Sequence, residues 1–186
     1  MSNTAVSELA WGALASPVGE MSVACSPAGV ARVRFGPGPP PNAAGGTPGP
    51  AESQLGTALA QVAEYFAGQR RSFDVPVDWS GMSAAQRQVL PVLLASAGFG
   101  ETVTYGALAR RAGLADGGPV PAARVTGQIM GSNPCPIIVP CHRVVAGDGL
   151  GGYSGGAGVE IKRWLLIFEG ALPPTLDWDP AGPGAG

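Results

Sequence analysis

Two short stretches near the start of the chain alternate apolar with polar residues, and from residue 55 onward apolar residues recur at helical spacing. Met21-Ser22-Val23-Ala24-Cys25 and Val30 to Phe35 flank Ser26-Pro27-Ala28-Gly29, with proline second and glycine fourth. Those are turn positions, so the two runs predict a β-hairpin. In its second strand Ala31, Val33 and Phe35 face one way and Arg32 and Arg34 the other, leaving one face buried and one wet. Cys25 is then a core thiol. Leu55, Ala58, Leu59, Val62, Tyr65 and Phe66 form a helical stripe that ends at Gly68 and covers the sheet. Between sheet and helix, residues 36–50 are rich in Pro, Gly and Ala and uncharged, the composition of a disordered loop.

A second unit begins near Gly81. Ser83 with Gln86 three residues on predicts a capped helix whose apolar face is Val89, Leu90, Leu93 and Leu94, and Pro91 inside it predicts a kink. Thr104 caps a helix through Ala112, and a glycine-rich turn from Gly113 to Pro121 leads to another over Ala122 to Met130. Two short helices joined this way have the form of a helix-turn-helix, a pattern that also occurs in proteins that never meet nucleic acid. A last helix covers Lys162 to Phe168. The fold class expected is α+β. A small N-terminal β-sheet domain with a covering helix spans residues 1–80, a mostly helical domain with a helix-turn-helix spans 81–172, and a flexible tail spans 173–186.

The chain has 186 residues, and 45% of them are apolar, enough for a packed core. Its start lacks a basic segment followed by an apolar one, and no window approaches a membrane-spanning run, so a cytoplasmic protein without membrane contact is expected. Three cysteines at spacings of 110 and 6 make no disulfide framework, and one histidine without paired cysteines leaves no metal site and no cofactor expected. The net charge of −2 argues against broad nucleic-acid binding, but its distribution is uneven. Residues 81–170 carry seven basic against five acidic side chains, and this excess suits a protein that touches few phosphates.

Asn133-Pro134-Cys135-Pro136-Ile137-Ile138-Val139-Pro140-Cys141-His142-Arg143-Val144-Val145 holds the candidate chemistry, since it sets the only histidine directly after a cysteine. Prolines and a β-branched run predict extended, buried backbone and a thiol fixed in place, as nucleophilic chemistry needs. From the residues alone, a buried structural thiol beside a surface imidazole is the other reading.

Six segments in one order between about Ser83 and Gly170 resemble the O6-alkylguanine-DNA alkyltransferases, the methylated-DNA-protein-cysteine methyltransferases. They are Gly100-Glu101-Thr102-Val103-Thr104-Tyr105-Gly106, Ala122-Ala123-Arg124, Asn133-Pro134, Pro140 to Arg143, Gly152-Tyr153-Ser154-Gly155-Gly156, and Lys162-Arg163-Trp164-Leu165-Leu166 through Glu169-Gly170. The resemblance implies a ribonuclease H-like first domain and a winged-helix-like second one. It also implies single-use repair, in which the alkyl group of O6-alkylguanine, and of O4-alkylthymine, passes irreversibly from double-stranded DNA to Cys141. By the same resemblance His142 activates the thiol through a water, Glu169 orients His142, and Asn133 holds the turn around the cysteine. Tyr105, Val144, Tyr153, Ser154 and Gly155 would hold the extruded base, by the Tyr105 hydroxyl, the Ser154 N–H and the carbonyls of Cys141 and Val144. Arg124 would fill the gap in the stack from the minor groove, with Ala123 and Gly127 letting the helix lie close. A monomer is expected. The family usually carries another basic residue soon after this helix, where this chain has Gly131-Ser132.

Other readings are a non-catalytic relative that binds alkylated DNA, which in the family replaces the cysteine, a transcription regulator, and a cysteine hydrolase using Cys141 and His142. The regulator would need room for a second DNA-reading domain. The hydrolase would turn over repeatedly.

Overall fold

The computed structural model describes residues 9–39, 49–115, 117–152 and 158–183. Its Cα packing divides the chain into two compact units, Met1–Gly81 and Met82–Gly186.

In the first unit the predicted hairpin is β2 (Gly19–Ser26) and β3 (Gly29–Phe35), closed at a tight turn where Gly29 takes a φ of 135°. A strand absent from the sequence reading, β1 (Ala10–Ser16), pairs antiparallel with β2 from Ala10 opposite Cys25 to Ser16 opposite Gly19, giving the order β1-β2-β3. The β2/β3 register shifts at Ala24/Cys25, and this irregularity buries Val30 as well as Val33 while Ala31 is only half-buried. Strict alternation therefore fails at one residue. Helix α1 (Pro50–Phe66) packs on the sheet through Leu55, Ala58, Val62 and Tyr65. It begins at Pro50, the last residue of the expected loop, because proline's missing N–H costs nothing in the first turn. Residues 40–48 of that loop lie outside the described residues. Cys25 is fully buried, and burial pushes its thiol up to about 12, so it is inert packing.

The second unit opens with α2 (Ala84–Ser96), where Ser83 and Gln86 form the reciprocal capping box. Pro91 stands inside the helix without ending it. Val89, Leu90 and Leu93 are buried, but Leu94, expected on the same face, is 42% exposed. Helices α3 (Tyr105–Arg111) and α4 (Ala122–Gly131) are the helix-turn-helix pair. The Thr104 hydroxyl caps α3 by accepting from the Ala107 N–H. Gln86 donates to the Ser132 carbonyl at 2.8 Å and Gln88 to the Ala112 carbonyl at 2.9 Å, tying α2 to the ends of both helices.

Two features here follow from tertiary structure. Strands β4 (Val103–Thr104) and β5 (Val144–Val145) pair in parallel, Val103 with Val144 and Thr104 with Val145, placing the start of α3 beside the Cys141 segment. Helix α5 (Val159–Phe168) buries Ile161, Lys162, Trp164, Leu165, Leu166 and Ile167. The tail expected to be flexible follows it as far as Pro183 among the described residues, and Trp178 stacks on Trp164 with ring centroids 6.2 Å apart. A large aromatic side chain gains by leaving water, so this stretch packs where proline and glycine alone would not. No helix among the described residues is long and apolar enough to cross a membrane.

Candidate active site

Residues 133–141 do not run extended. Val139 N–H donates to the Cys135 carbonyl, Ile137 adopts a φ of 72°, and Cys141–Arg143 form a 3₁₀ turn. The prolines limit the backbone at their own positions, whereas the Asn133 amide bridges the loop. Its oxygen accepts from the Cys135 N–H at 3.0 Å and its nitrogen donates to the Val139 carbonyl at 2.9 Å. A β-branched residue in the left-handed region costs about 1–3 kcal/mol, and Ile137 holds it because its side chain is buried in the core. The segment is thus buried as expected, but as a pinned turn.

That turn presents Cys141, 4% exposed, to a cavity of about 480 Å³. Tyr105 of α3, Ala123, Arg124 and Gly127 of α4, and Gly152 line the same cavity. Along α4 the residues Ala122, Thr126, Ile129 and Met130 are buried while Ala123 and Arg124 are exposed, so Ala122 belongs to the core. The Tyr105 hydroxyl donates to the Gly152 carbonyl at 3.1 Å, and burial, then the charge of Cys141, raise its phenol above the ordinary value. Gly151 has a φ of 69°, and a Cβ there would lie 2.8 Å from the Tyr105 ring. Only glycine lets the chain pass the tyrosine this closely. Tyr153, Ser154 and Gly155 lie outside the described residues.

Behind the thiol, His142 is fully buried and its Nε2–H faces Glu169 Oε1 at 2.8 Å. Arg143 grips the same carboxylate with Nε to Oε2 at 2.8 Å and Nη2 to Oε1 at 2.9 Å, and donates from Nη1 to the Ala97 carbonyl. Burial opposes the charge on Glu169, yet His142 and Arg143 together hold its carboxyl well below the usual range. For His142, burial lowers the pKa most, Glu169 raises it, and Arg143 and Lys162 lower it further, with a net fall. The imidazole is therefore neutral at physiological pH. An ionised carboxylate only accepts, so Nε2 carries the ring proton and Nδ1, buried without a hydrogen-bond partner among the described residues, keeps its lone pair as an acceptor.

Two family models cover most of the chain: 6-O-methylguanine DNA methyltransferase, ribonuclease-like domain over residues 9–79, and 6-O-methylguanine DNA methyltransferase, DNA binding domain over 84–171. The chain belongs to the 6-O-methylguanine DNA methyltransferase family. A DNA base-flipping protein of Thermus thermophilus is 37% identical over 166 residues, 86% of this chain and 99% of that one. The mouse methylated-DNA--protein-cysteine methyltransferase is 49% identical over 100 residues, which is 54% of this chain and 43% of the mouse protein. The chain thus matches less than half the length of the mouse protein. The crystal structure of Mycobacterium tuberculosis OGT in complex with DNA superposes with a TM-score of 0.69 at 32% identity, covering 94% of this chain and 95% of that one. The α+β architecture is that of this alkyltransferase family.

The fold brings Cys141, Tyr105, Arg124, Ala123 and Gly127 to one cavity, joins His142 to Glu169, and sets Asn133 across the turn. Val144 enters the site as a carbonyl, which accepts from Lys162 Nζ at 2.7 Å. Sequence reasoning missed two residues, Arg143 as partner of Glu169 and Lys162 as partner of Tyr105, Val144 and Gly152. Lys162 had a signal of its own: it is the only lysine in the chain, and it falls on the face of α5 that carries Leu165 and Leu166.

Proposed function

We propose that this chain repairs DNA by direct reversal, taking the alkyl group from O6-alkylguanine, and from O4-alkylthymine, onto Cys141 in one irreversible turnover. Methyl transfer from methylated DNA to a protein cysteine is the activity named for its methyltransferase relatives, and the structural neighbour solved with DNA supports DNA as the partner. One observation carries the assignment to this chain: the cavity that exposes Cys141 is also lined by Arg124 and Gly127 of the second helix of the helix-turn-helix. A thiol aimed at a damaged base has to meet that base outside the stack. Arg124, entering from the minor groove, fills the space left behind while Ala123 and Gly127 allow close approach.

In this reading neutral His142 receives the Cys141 proton at Nδ1 through a water, while Glu169 stabilises the imidazolium formed. The thiolate attacks the alkyl carbon, the S–C bond forms as the C–O6 bond breaks, and the electron pair leaves with the base. The Tyr105 hydroxyl, turning from the Gly152 carbonyl, donates to the departing purine, the Cys141 and Val144 carbonyls accept from its amino group, and the family resemblance assigns the Ser154 N–H, Tyr153 and Gly155 to base binding as well. The product thioether is stable to water, so each molecule acts once. A catalytic thiol with no disulfide in the described residues suits a reducing compartment, the cytoplasm, and a monomer suffices.

The test mixes the protein with equimolar duplex carrying O6-methylguanine and follows transferred methyl groups, with peptide mass mapping of the product. One methyl per active chain, carried on Cys141, is expected. Continued release of methanol, or label on Cys25 or Cys135, would overturn the assignment.

A further inference from the structure

Helix α4 presents two rows of side chains to the cavity that exposes Cys141. Ala123, Gly127 and Gly131 recur every fourth residue and form a row with almost no bulk, and beside it Arg124 and Gln128, also one turn apart, form a row of long polar side chains. All five line the cavity. The other face of the helix, Ala122, Thr126, Ile129 and Met130, is buried.

Arg124 has a place in the reading above, whereas Gln128 has none, and the fold makes no use of its amide. Gln128 is exposed, and its side chain makes no hydrogen bond among the described residues. The other two glutamines of the second unit both tie helices together, Gln86 through the Ser132 carbonyl and Gln88 through the Ala112 carbonyl. The amide of Gln128 is left for whatever enters the cavity.

Chemistry limits what that amide can read. It is neutral, so it adds nothing to phosphate attraction, and it carries an acceptor oxygen and two N–H donors. In the minor groove every base pair offers acceptors, but G·C alone adds a donor, the guanine 2-amino group. At A·T the amide carbonyl would leave water without a partner, while at G·C both halves of the amide are bonded. Position limits which pair is read. Side chains four apart on a helix have Cβ atoms about 5–6 Å apart, and bases stack about 3.4 Å apart. With Arg124 in the gap left by the extruded base, Gln128 therefore meets a pair one or two steps away.

We propose that Gln128 is a specificity-determining residue that reads the minor-groove edge of a base pair one or two steps from the lesion, favouring G·C by accepting a hydrogen bond from the guanine 2-amino group. The inference rests on the reading in which α4 enters the minor groove with Arg124 in the stack. It gives the chain a preference for the sequence around the damage in addition to one for the damage itself.

Inosine lacks the 2-amino group of guanine and keeps its major-groove edge, so replacing guanine with inosine removes the proposed contact. The weaker inosine pair eases base extrusion for any protein, and the comparison is therefore made against Gln128→Leu, which keeps the bulk and loses both polar groups. Duplexes carry O6-methylguanine with G·C at the four pairs within two steps, and each guanine is replaced in turn. Affinity is measured by fluorescence anisotropy, and single-turnover methyl transfer is timed on the same duplexes. At one or more of the four pairs, inosine is expected to weaken parent binding about fivefold and variant binding by less than about twofold. A parent and variant that respond alike at all four pairs would overturn the proposal. So would a Gln128→Leu protein slowed as much with free O6-methylguanine as with duplex, since the amide would then serve the extruded base. A parent that shows the inosine effect in affinity yet transfers no methyl group would remove the proposed function and leave Gln128 as a reader of the groove.

Discussion

Next to Cys141 in the chain, His142 and Arg143 are both buried against Glu169, and their difference sets what each substitution does. His142 is kept neutral by burial and by Arg143, so it is ready to accept a proton rather than already carrying one. His142→Ala is therefore expected to slow single-turnover transfer near neutral pH while leaving DNA affinity intact. The deficit should shrink as pH rises towards about 8.5, where a thiol ionises unaided, and Glu169→Gln should give a milder form of the same profile. A histidine variant as fast as the parent at pH 7 would show that the proton leaves by another route. Arg143 acts on stability as well. Arg143→Met strands a buried carboxylate and should cost about 3–5 kcal/mol in urea denaturation, part of which the double variant with Glu169→Gln should restore. The Cys-His pair and Asn133 stand out in the sequence because they are rare residues in a fixed order. Arg143 does not, and Lys162 stands out only as the one lysine, set on an apolar helix face, because nothing local says which buried acceptors a long cationic side chain will reach.

Helices with a cap and a stripe were legible in the chain: Ser83, Thr104 and Gly68 mark ends that the fold uses. Strand β1 was not, since Ala-Trp-Gly-Ala-Leu-Ala-Ser has little β-branching and gains its order from pairing with β2. Strands β4 and β5 are two residues each, below what any periodicity can register. They nevertheless bind the helix-turn-helix to the Cys141 turn, so α4 and the thiol keep one geometry. Prolines suggested an extended run before Cys141, but the Asn133 side chain bends it, a contact across six residues that a strand pattern does not contain. On α4 the exposed Arg124 is separate from the buried Ala122, Thr126, Ile129 face. Arg124→Ala should thus leave stability nearly unchanged and slow repair in duplex DNA far more than reaction with free O6-methylguanine. Equal loss on both substrates would assign Arg124 to the pocket instead.

At the scale of the whole molecule the buried ionisable groups couple stability to pH. His142 is lowered from 6.5 and Glu169 from 4.5, so the unfolded chain binds protons that the native chain refuses as pH falls through these values. Both contributions have the same sign, and the urea midpoint is expected to drop from about pH 6.5 downward and more steeply below about 4.5. Lys162, near 8 in the fold against 10.5 outside it, works in the alkaline range, where its contribution improves with rising pH. A midpoint independent of pH between 4 and 7 would contradict the buried charge network. The single buried lysine has one more consequence, a practical one. Lysine-directed reagents find no target on the folded second unit, so the speed at which they mark Lys162 is a stopwatch for how often that unit opens. By the same logic, anchoring this protein to a surface through its lysine would select the molecules that had come apart.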